Sequence, residues 1–404
     1  MTTGDAGPAL SILTVSTLFP NPVQPSHGIF VETRLRKLLA SGQVRAHVIA
    51  PIPWLPGFLR YGSYGPLHRV PQHVERNGLE IEHPRYLVVP KVGMRLTPHT
   101  LYRAMRKSLR QLLDTGRRFD LIDAHYFYPD GVAAVWLAKE FGLPVTVTSR
   151  GTDISLIPQF PGPRRMICAA AGEADGLITV CQALKDGLVE LGVDPRKVTV
   201  LRNGVDLELF HPMDRQAARK ELGLSRRTLA SVGHLVERKG HHHVIEGLKN
   251  LPDTDLLIAG DGEERTRLAH LAVACGVADR VRFLGVLNQR QLCQVYSAVD
   301  ALVLASSREG WANVLLEAMA CGTPVVASAV WGTPEVVAAP EAGVLMPSLD
   351  AAGVAQGVRE LFAAYPDHAA TRRYAEGFNW DATTAGQLKL FRSIVGQPPV
   401  KNSP

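Results

Sequence analysis

Two carboxylates set the chemical question in this sequence. Glu309 and Glu317 stand with seven residues between them in the stretch SSREGWANVLLEAMACGTPVVA (306–327). ALVLAS reads as a strand, SREGWAN as the turn after it, and VLLEAMACG as a helix that ends at Gly322. At such a helix start the amides of Ala312, Asn313 and Val314 would lack partners, with Asn313 a candidate cap. Those donors and the helix dipole favour a bound phosphate. Glu309 falls on the loop side of that phosphate and Glu317 in the second turn of the helix. A carboxylate accepts from vicinal hydroxyls in bidentate fashion. A ligand with a diphosphate in its middle and hydroxylated rings at both ends would therefore meet both acids. Taken singly, Glu309 reads more simply as a turn acid and Glu317 as a partly exposed helix residue; the pair around one turn is what points to chemistry.

The elements that must hold this turn are legible in the apolar runs. SILTVSTLF, AHVIAP, FDLIDAH, PVTVTSRG, DGLITV and KVTVLRNG occupy the first half, and TLASVGH, TDLLIAGDG, RVRFLG, ALVLAS, TPVVAS and AGVLMP the second. Such short Val/Ile/Leu runs suit strands buried on both faces of a parallel sheet. Amphipathic stretches such as FVETRLRKLLAS, RLAHLAVACG and QLCQVYSAVD lie between them and read as helices. Strand alternating with helix is the doubly wound α/β pattern, and here it happens twice. A chain of 404 residues exceeds one ordinary core. The predicted division is a first domain over 1–200 and a second over 201–377, parted near LRNGVDLELFHP (201–212), then a helix over 378–395 and a frayed tail over 396–404. In such sheets ligands sit beyond the carboxyl ends of the strands, so the residues after each run are the ones that matter.

Composition narrows the class. No run of about 18 uncharged apolar residues exists, so no spanning helix is expected. The start, MTTGDAGPALSILTVSTLFP, lacks a basic region before its short apolar run and reads as a first strand, not a secretory signal. Five widely spaced cysteines without a CxxC pair read as reduced core thiols in a cytoplasmic protein. The net charge of +6 suits anionic small ligands or an anionic membrane surface; with no long Lys/Arg block, no nucleic-acid partner is expected.

EGWANVLLEAMACGTPVVAS, with GTPEVV following at 332–337, resembles the Glu-x7-Glu signature of family 4 retaining glycosyltransferases. The resemblance spans nearly the whole chain, strongest over 198–337 and loosest over 50–118. It implies the GT-B fold: two Rossmann-like domains facing a cleft, the first binding acceptor, the second binding a nucleotide diphosphate sugar, and a last helix crossing back to the first domain. It implies that Glu309 contacts the transferred sugar and Glu317 the ribose, with Gly310, Trp311, Ala312, Asn313 and Val314 forming the turn between. Trp311-Ala312 stand where the family often has Phe-Gly. In SVGHLVERKGHHHVIEGL (231–248), Arg238-Lys239-Gly240 match the family's Lys-Gly segment, so Arg238 and Lys239 would neutralise the leaving diphosphate; His234 stands where a first Arg is common. Gly260-Asp261-Gly262 would border the nucleotide. In the first domain the resemblance places a glycine loop at His27-Gly28 and a histidine, His125, near the transferred sugar, where it would polarise a hydroxyl. TVTSRGTDI is similar to the family's His-Gly-x-Asp segment with Arg150 in place of His, so Arg150 and Asp153 would line the cleft. Arg202 and Asn203 of LRNGVDLELF would approach it near the hinge.

The function so implied is retaining sugar transfer from a nucleotide diphosphate sugar to an acceptor hydroxyl, in exopolysaccharide, cell-envelope polysaccharide or glycolipid synthesis, with no cofactor and no divalent metal. Asp253 and Asp255 in PDTDLL precede a strand, the wrong end for a metal site, and consecutive His241-His242-His243 face different ways on a helix. Two other readings stay open: a sugar-nucleotide epimerase of the same fold, and a non-catalytic nucleotide-sugar-binding subunit. RLTPHTLYRAMRKSLRQLLDTGRR (95–118) is a basic amphipathic stretch, and Trp54, Phe58, Tyr61 and Tyr64 lie nearby. They read either as a surface helix packed on its own domain or as a peripheral contact with anionic lipid on the inner face of the membrane, near a lipid-linked acceptor.

Overall fold

The apolar runs form two parallel sheets. The computed structural model describes residues 9–55, 62–88 and 93–396, and the chain divides into one unit of Met1–Leu201 with Asp381–Pro404 and a second of Arg202–Trp380. Phe58 and Tyr61 lie outside the described residues, as does the side chain of Tyr64.

In the first unit the large sheet runs in the order Val198–Val200, Gly176–Thr179, Val145–Ser149, Leu121–His125, Leu10–Val15, Val44–Ile49, Leu79–Glu82 and His73–Arg76, and Ile52–Trp54 pairs with Arg85–Leu87 in a separate two-stranded sheet. Pairing is parallel except at the last two strands of the large sheet, which form an antiparallel hairpin. Leu121–His125 and Val145–Ser149 are buried at every position, as central strands of a parallel sheet covered on both faces are, and their buried polar residues include Asp123 and His125. Chain order reverses between Leu10–Val15 and Leu121–His125, so the loops after these two strands flank a switch point. The helix Asp381–Val395 packs into this unit's core through Leu388, Phe391 and Ile394, against Val31, Leu35 and Leu38 of the helix Ile29–Ala40. It begins three residues later than the sequence suggests. The preceding helix His368–Glu376 ends at Gly377, and 378–380 make a turn.

In the second unit the order is Val281–Gly285, Thr254–Ala259, Arg227–Val232, Ala301–Leu304, Val325–Ser328 and Gly343–Met346, all parallel. Its switch point lies between Arg227–Val232 and Ala301–Leu304, where the turns carrying Arg238-Lys239 and Glu309 emerge side by side. Gly240 makes that closeness possible. Its φ is 69°, and a Cβ there would sit 1.8 Å from the carbonyl oxygen of Ala305. Gly240→Ala is expected to destabilise the second unit by roughly 2–3 kcal/mol, since both the left-handed backbone and the clash oppose it. A thermal melt against the wild type checks this.

The helix predicted over 95–118 spans Thr97–Asp114. Its apolar face, Leu101, Met105, Leu109 and Leu112, is buried in its own unit, and Arg106 and Arg110 converge on Glu140. The packed-helix reading accounts for that face. No helix among the described residues is long and apolar enough to cross a membrane.

Candidate active site

The second unit builds its site from two adjacent turns. Glu309 and Lys239 form an ion pair, Oε1 to Nζ at 2.5 Å, with the side chains only 9% and 15% exposed. The helix after Glu309 runs from Asn313 to Ala320 with Ala312 as its cap residue and no side-chain cap. The sequence offered Asn313 as the cap and its amide as a free donor. Instead Asn313 opens the helix, its N–H donates to the Trp311 carbonyl at 3.1 Å, and its Oδ1 accepts from Asn203 Nδ2 at 3.3 Å. The amides of Gly310, Trp311, Ala312 and Val314 donate to no protein acceptor among the described residues. Four such donors beside a helix start and a lysine are suited to a phosphate.

The Trp311 ring turns inward. It is 7% exposed, its Nε1–H donates to the Asn203 carbonyl at 3.0 Å, and the Arg202 guanidinium lies 5.9 Å from its centroid. Arg202 also grips Glu335 of GTPEVV at 2.6 Å. Trp311 thus anchors the turn with its side chain, leaving its backbone for a ligand, and 202–203 are stitched to the start of the site helix. Nothing in the sequence linked these positions, because the pairing spans 108 residues.

Glu317 is half-buried, and burial pushes its carboxyl up to about 7. The Tyr296 hydroxyl, fully buried on the helix Gln289–Ala298, donates to its Oε2 at 3.2 Å and partly counters that rise. Tyr296 is a site residue the sequence did not mark, since a Tyr on an amphipathic helix reads as core. The native carboxyl binds its proton more tightly than the unfolded chain, whose pKa lies near 4.5. The resulting penalty is absent below about pH 4.5, grows as pH rises and is complete above 7. Glu317→Gln has no such penalty, so its stability relative to wild type is expected to rise by ~1–2 kcal/mol between pH 5 and 8. Paired urea titrations across that range measure it.

His234 is exposed beside the same turn. His241 is buried and neutral, pulled down to about 4 by burial, with Nδ1 against Ser231 Oγ at 2.8 Å. Gly260, Asp261 and Gly262 follow the strand Thr254–Ala259, where Leu235 N–H donates to the Asp261 carbonyl at 2.9 Å and locks the two loops together. Asp253 and Asp255 both face Arg226, at 3.8 and 3.4 Å.

In the first unit, Gly28 caps the helix Ile29–Ala40 at φ 66°, and a Cβ there would meet the Leu18 backbone at 2.3 Å. His27 is exposed with Nε2 3.1 Å from the Thr17 carbonyl oxygen. Asp130 is fully buried, accepts from the Thr17 N–H and hydroxyl, and is pushed up to about 7 by burial. His125 is 1% exposed, with Nε2 3.1 Å from Asp123 and Nδ1 2.7 Å from Arg150. Arg150 is 9% exposed. Asp153 is completely buried and its carboxylate receives the amides of Phe127, Arg150 and Gly151. Asp153 therefore shapes the loop, while His125 and Arg150 form one contact pair at the carboxyl edge of this sheet.

Comparison with known proteins bears on the family and the fold. Residues 33–209 match the model for Glycosyltransferase Family 4, and residues 214–378 that for Glycosyl transferases group 1. A D-inositol 3-phosphate glycosyltransferase from Actinosynnema mirum is 34% identical over 307 residues, covering 68% of this chain and 72% of that protein. The Mycobacteroides abscessus protein of the same name is 33% identical over 297 residues, 69% of this chain and 66% of its own length. Among solved structures, sucrose-phosphate synthase from Thermosynechococcus elongatus superposes with a TM-score of 0.79 at 22% identity, covering 96% of this chain and 99% of that one. Anabaena Alr3699/HepE, in complex with UDP-glucose, superposes at 0.72 with 20% identity, covering 95% and 100%. At those identities the structural likeness speaks for the fold alone. Two family models, close relatives at a third identity and the paired Rossmann-like sheets together place the chain in glycosyltransferase family 4, as a glycosyltransferase of GT-B type.

Proposed function

We propose that the second unit holds a nucleotide diphosphate sugar and the first an acceptor, and that the sugar passes to an acceptor hydroxyl with its anomeric configuration kept and without a divalent metal. The observation that carries this reading is the Glu309–Lys239 pair beside the unpaired amides of Gly310, Trp311, Ala312 and Val314, with Glu317 farther along the same helix. In this reading the amides, Lys239 and Arg238 take the diphosphate, Glu309 faces the sugar and Glu317 the ribose. The bond from the anomeric carbon to the phosphate oxygen breaks, a bond to the acceptor oxygen forms, and the hydroxyl proton passes to the departing phosphate. Fixed cations and N–H dipoles aimed at that phosphate stabilise the charge it gains, the work a metal does elsewhere.

The product belongs to an exopolysaccharide, a cell-envelope polysaccharide or a glycolipid. The names of the relatives make D-inositol 3-phosphate the first soluble acceptor to test, and a net charge of +6 suits an anionic one. UDP-glucose, bound in the Anabaena protein, is the first donor. Donor and an acceptor panel that includes lipid-linked glycans are incubated with EDTA and followed by NMR. A product of retained configuration supports the reading. An inverted product or loss of turnover in EDTA sinks it. Inversion at C2 without acceptor would mark an epimerase, and tight UDP binding without turnover on any acceptor a binding subunit. Peripheral lipid contact is proposed for the exposed Met94 and Leu96 with Arg103 and Lys107 nearby; salt-sensitive cosedimentation with anionic, but not neutral, vesicles tests it.

A further inference from the structure

His125 ends a buried chain of side chains whose proton positions follow from their chemistry. Arg34, Asp123, His125 and Gln387 are each about 1% exposed. Arg34 Nε donates to Gln387 Oε1 at 3.0 Å, and its Nη1 to the Leu201 carbonyl at 3.1 Å. A guanidinium has no acceptor, so the atom of Gln387 facing it is oxygen and the amide nitrogen points the other way. That nitrogen donates to Asp123 Oδ2 at 3.2 Å, and Thr146 Oγ1 donates to Asp123 Oδ1 at 3.1 Å. Asp123 Oδ2 also lies 3.1 Å from His125 Nε2. On the far side of the ring, Arg150 Nη2 stands 2.7 Å from Nδ1. Arg150 only donates, so Nδ1 holds a lone pair and the ring proton sits on Nε2, where it donates to Asp123. Burial and the charges of Arg150 and Arg34 hold the imidazole below its ordinary pKa, against the pull of Asp123.

We propose that Asp123 and Gln387 are positioning residues for the first unit's site, fixing His125 as the Nε2–H tautomer so that Nδ1, which faces Arg150, is its one acceptor nitrogen. Gln387 belongs to the returning helix Asp381–Val395, so that helix orients the site besides filling the core. The consequence for chemistry is directional. His125 receives a hydrogen bond from Arg150 or from a substrate hydroxyl that takes its place, and offers no N–H to substrate. This differs from a histidine that polarises a hydroxyl by donating to it. The inference rests on the reading that this edge of the first unit meets the acceptor.

Two measurements on the full chain separate the parts of the inference. The first is 15N NMR of histidine-labelled protein at pH 7, with His125 assigned by its loss in His125→Gln. A protonated Nε2 and a bare Nδ1 are expected; a proton on Nδ1, or on both nitrogens, overturns the lock whatever the enzyme's activity. The second is the kinetics of Asp123→Leu and Gln387→Leu with UDP-glucose and D-inositol 3-phosphate. kcat is expected to fall about 10–100-fold for Asp123→Leu and less for Gln387→Leu, with UDP affinity, measured by calorimetry, within twofold of wild type. Unchanged kcat in both variants, or kcat and UDP affinity falling together, overturns the positioning role. If wild type transfers nothing, the reading of function fails while the NMR result still decides the tautomer.

Discussion

Glu309→Gln is expected to lower kcat by about 10²–10³-fold while leaving UDP affinity within about threefold. Glutamine preserves the shape of the side chain and removes its charge. Positive charge that develops on the sugar as the phosphate departs loses a carboxylate held nearly dry, at 9% exposure, and Coulomb interactions are strongest where water is excluded. The ribose and base of UDP make no demand on Glu309, so binding without a sugar is spared. Steady-state kinetics with UDP-glucose and calorimetry with UDP give the two numbers; equal losses in both would refute the assignment of Glu309 to the sugar.

Lys239→Met is expected to cost about 10²-fold in kcat/KM and, unlike the glutamate change, to weaken UDP binding about tenfold. A cation on the diphosphate serves both the bound and the reacting state, so both constants move. The variant also leaves the Glu309 carboxylate nearly buried without its partner, which destabilises the second unit by ~2 kcal/mol after allowance for the lysine's residual exposure. Combining the two substitutions removes that stranded charge. The double variant should therefore melt above Lys239→Met alone, a non-additivity that reports the pair directly. If the two losses of stability simply add, the pair contributes nothing and the turn is held by the Trp311 anchor.

The strands nearest the site were the easiest to read. Ala301–Leu304 is buried at every position and its sequence is an unbroken apolar run, whereas Leu121–His125 is equally buried although Asp123 and His125 interrupt its apolar residues. Ile52–Trp54 and Arg85–Leu87, paired with each other in a small separate sheet, and His73–Arg76 and Leu79–Glu82, at the margin of the large one, escaped, because all are short and all but the first carry charged residues. The hairpin between the last two turns at Asn77-Gly78, both at positive φ, and is secured by Glu32 from a distant helix. The Glu309 and Lys239 turns could be placed, since strand ends and glycines mark them. What could not be read was which atoms would be left over. Asn313 loses its amide to a carbonyl two residues back, Trp311 points inward to Asn203, and Asp153 is consumed by three amides. The Trp311 and Phe127 bonds join positions far apart in sequence, and those of Asn313 and Asp153 depend on the exact backbone path of a loop, which no residue pattern encodes.

The return of residues 381–396 to the first unit makes the second an insertion within it. During synthesis the eight-stranded sheet must therefore wait, lacking Leu388, Phe391 and Gln387, while the whole of Arg202–Trp380 is translated, roughly 10–40 s at ordinary elongation rates. The later-encoded half is thus free to mature first on the ribosome, and the earlier half is the one that needs shelter from aggregation.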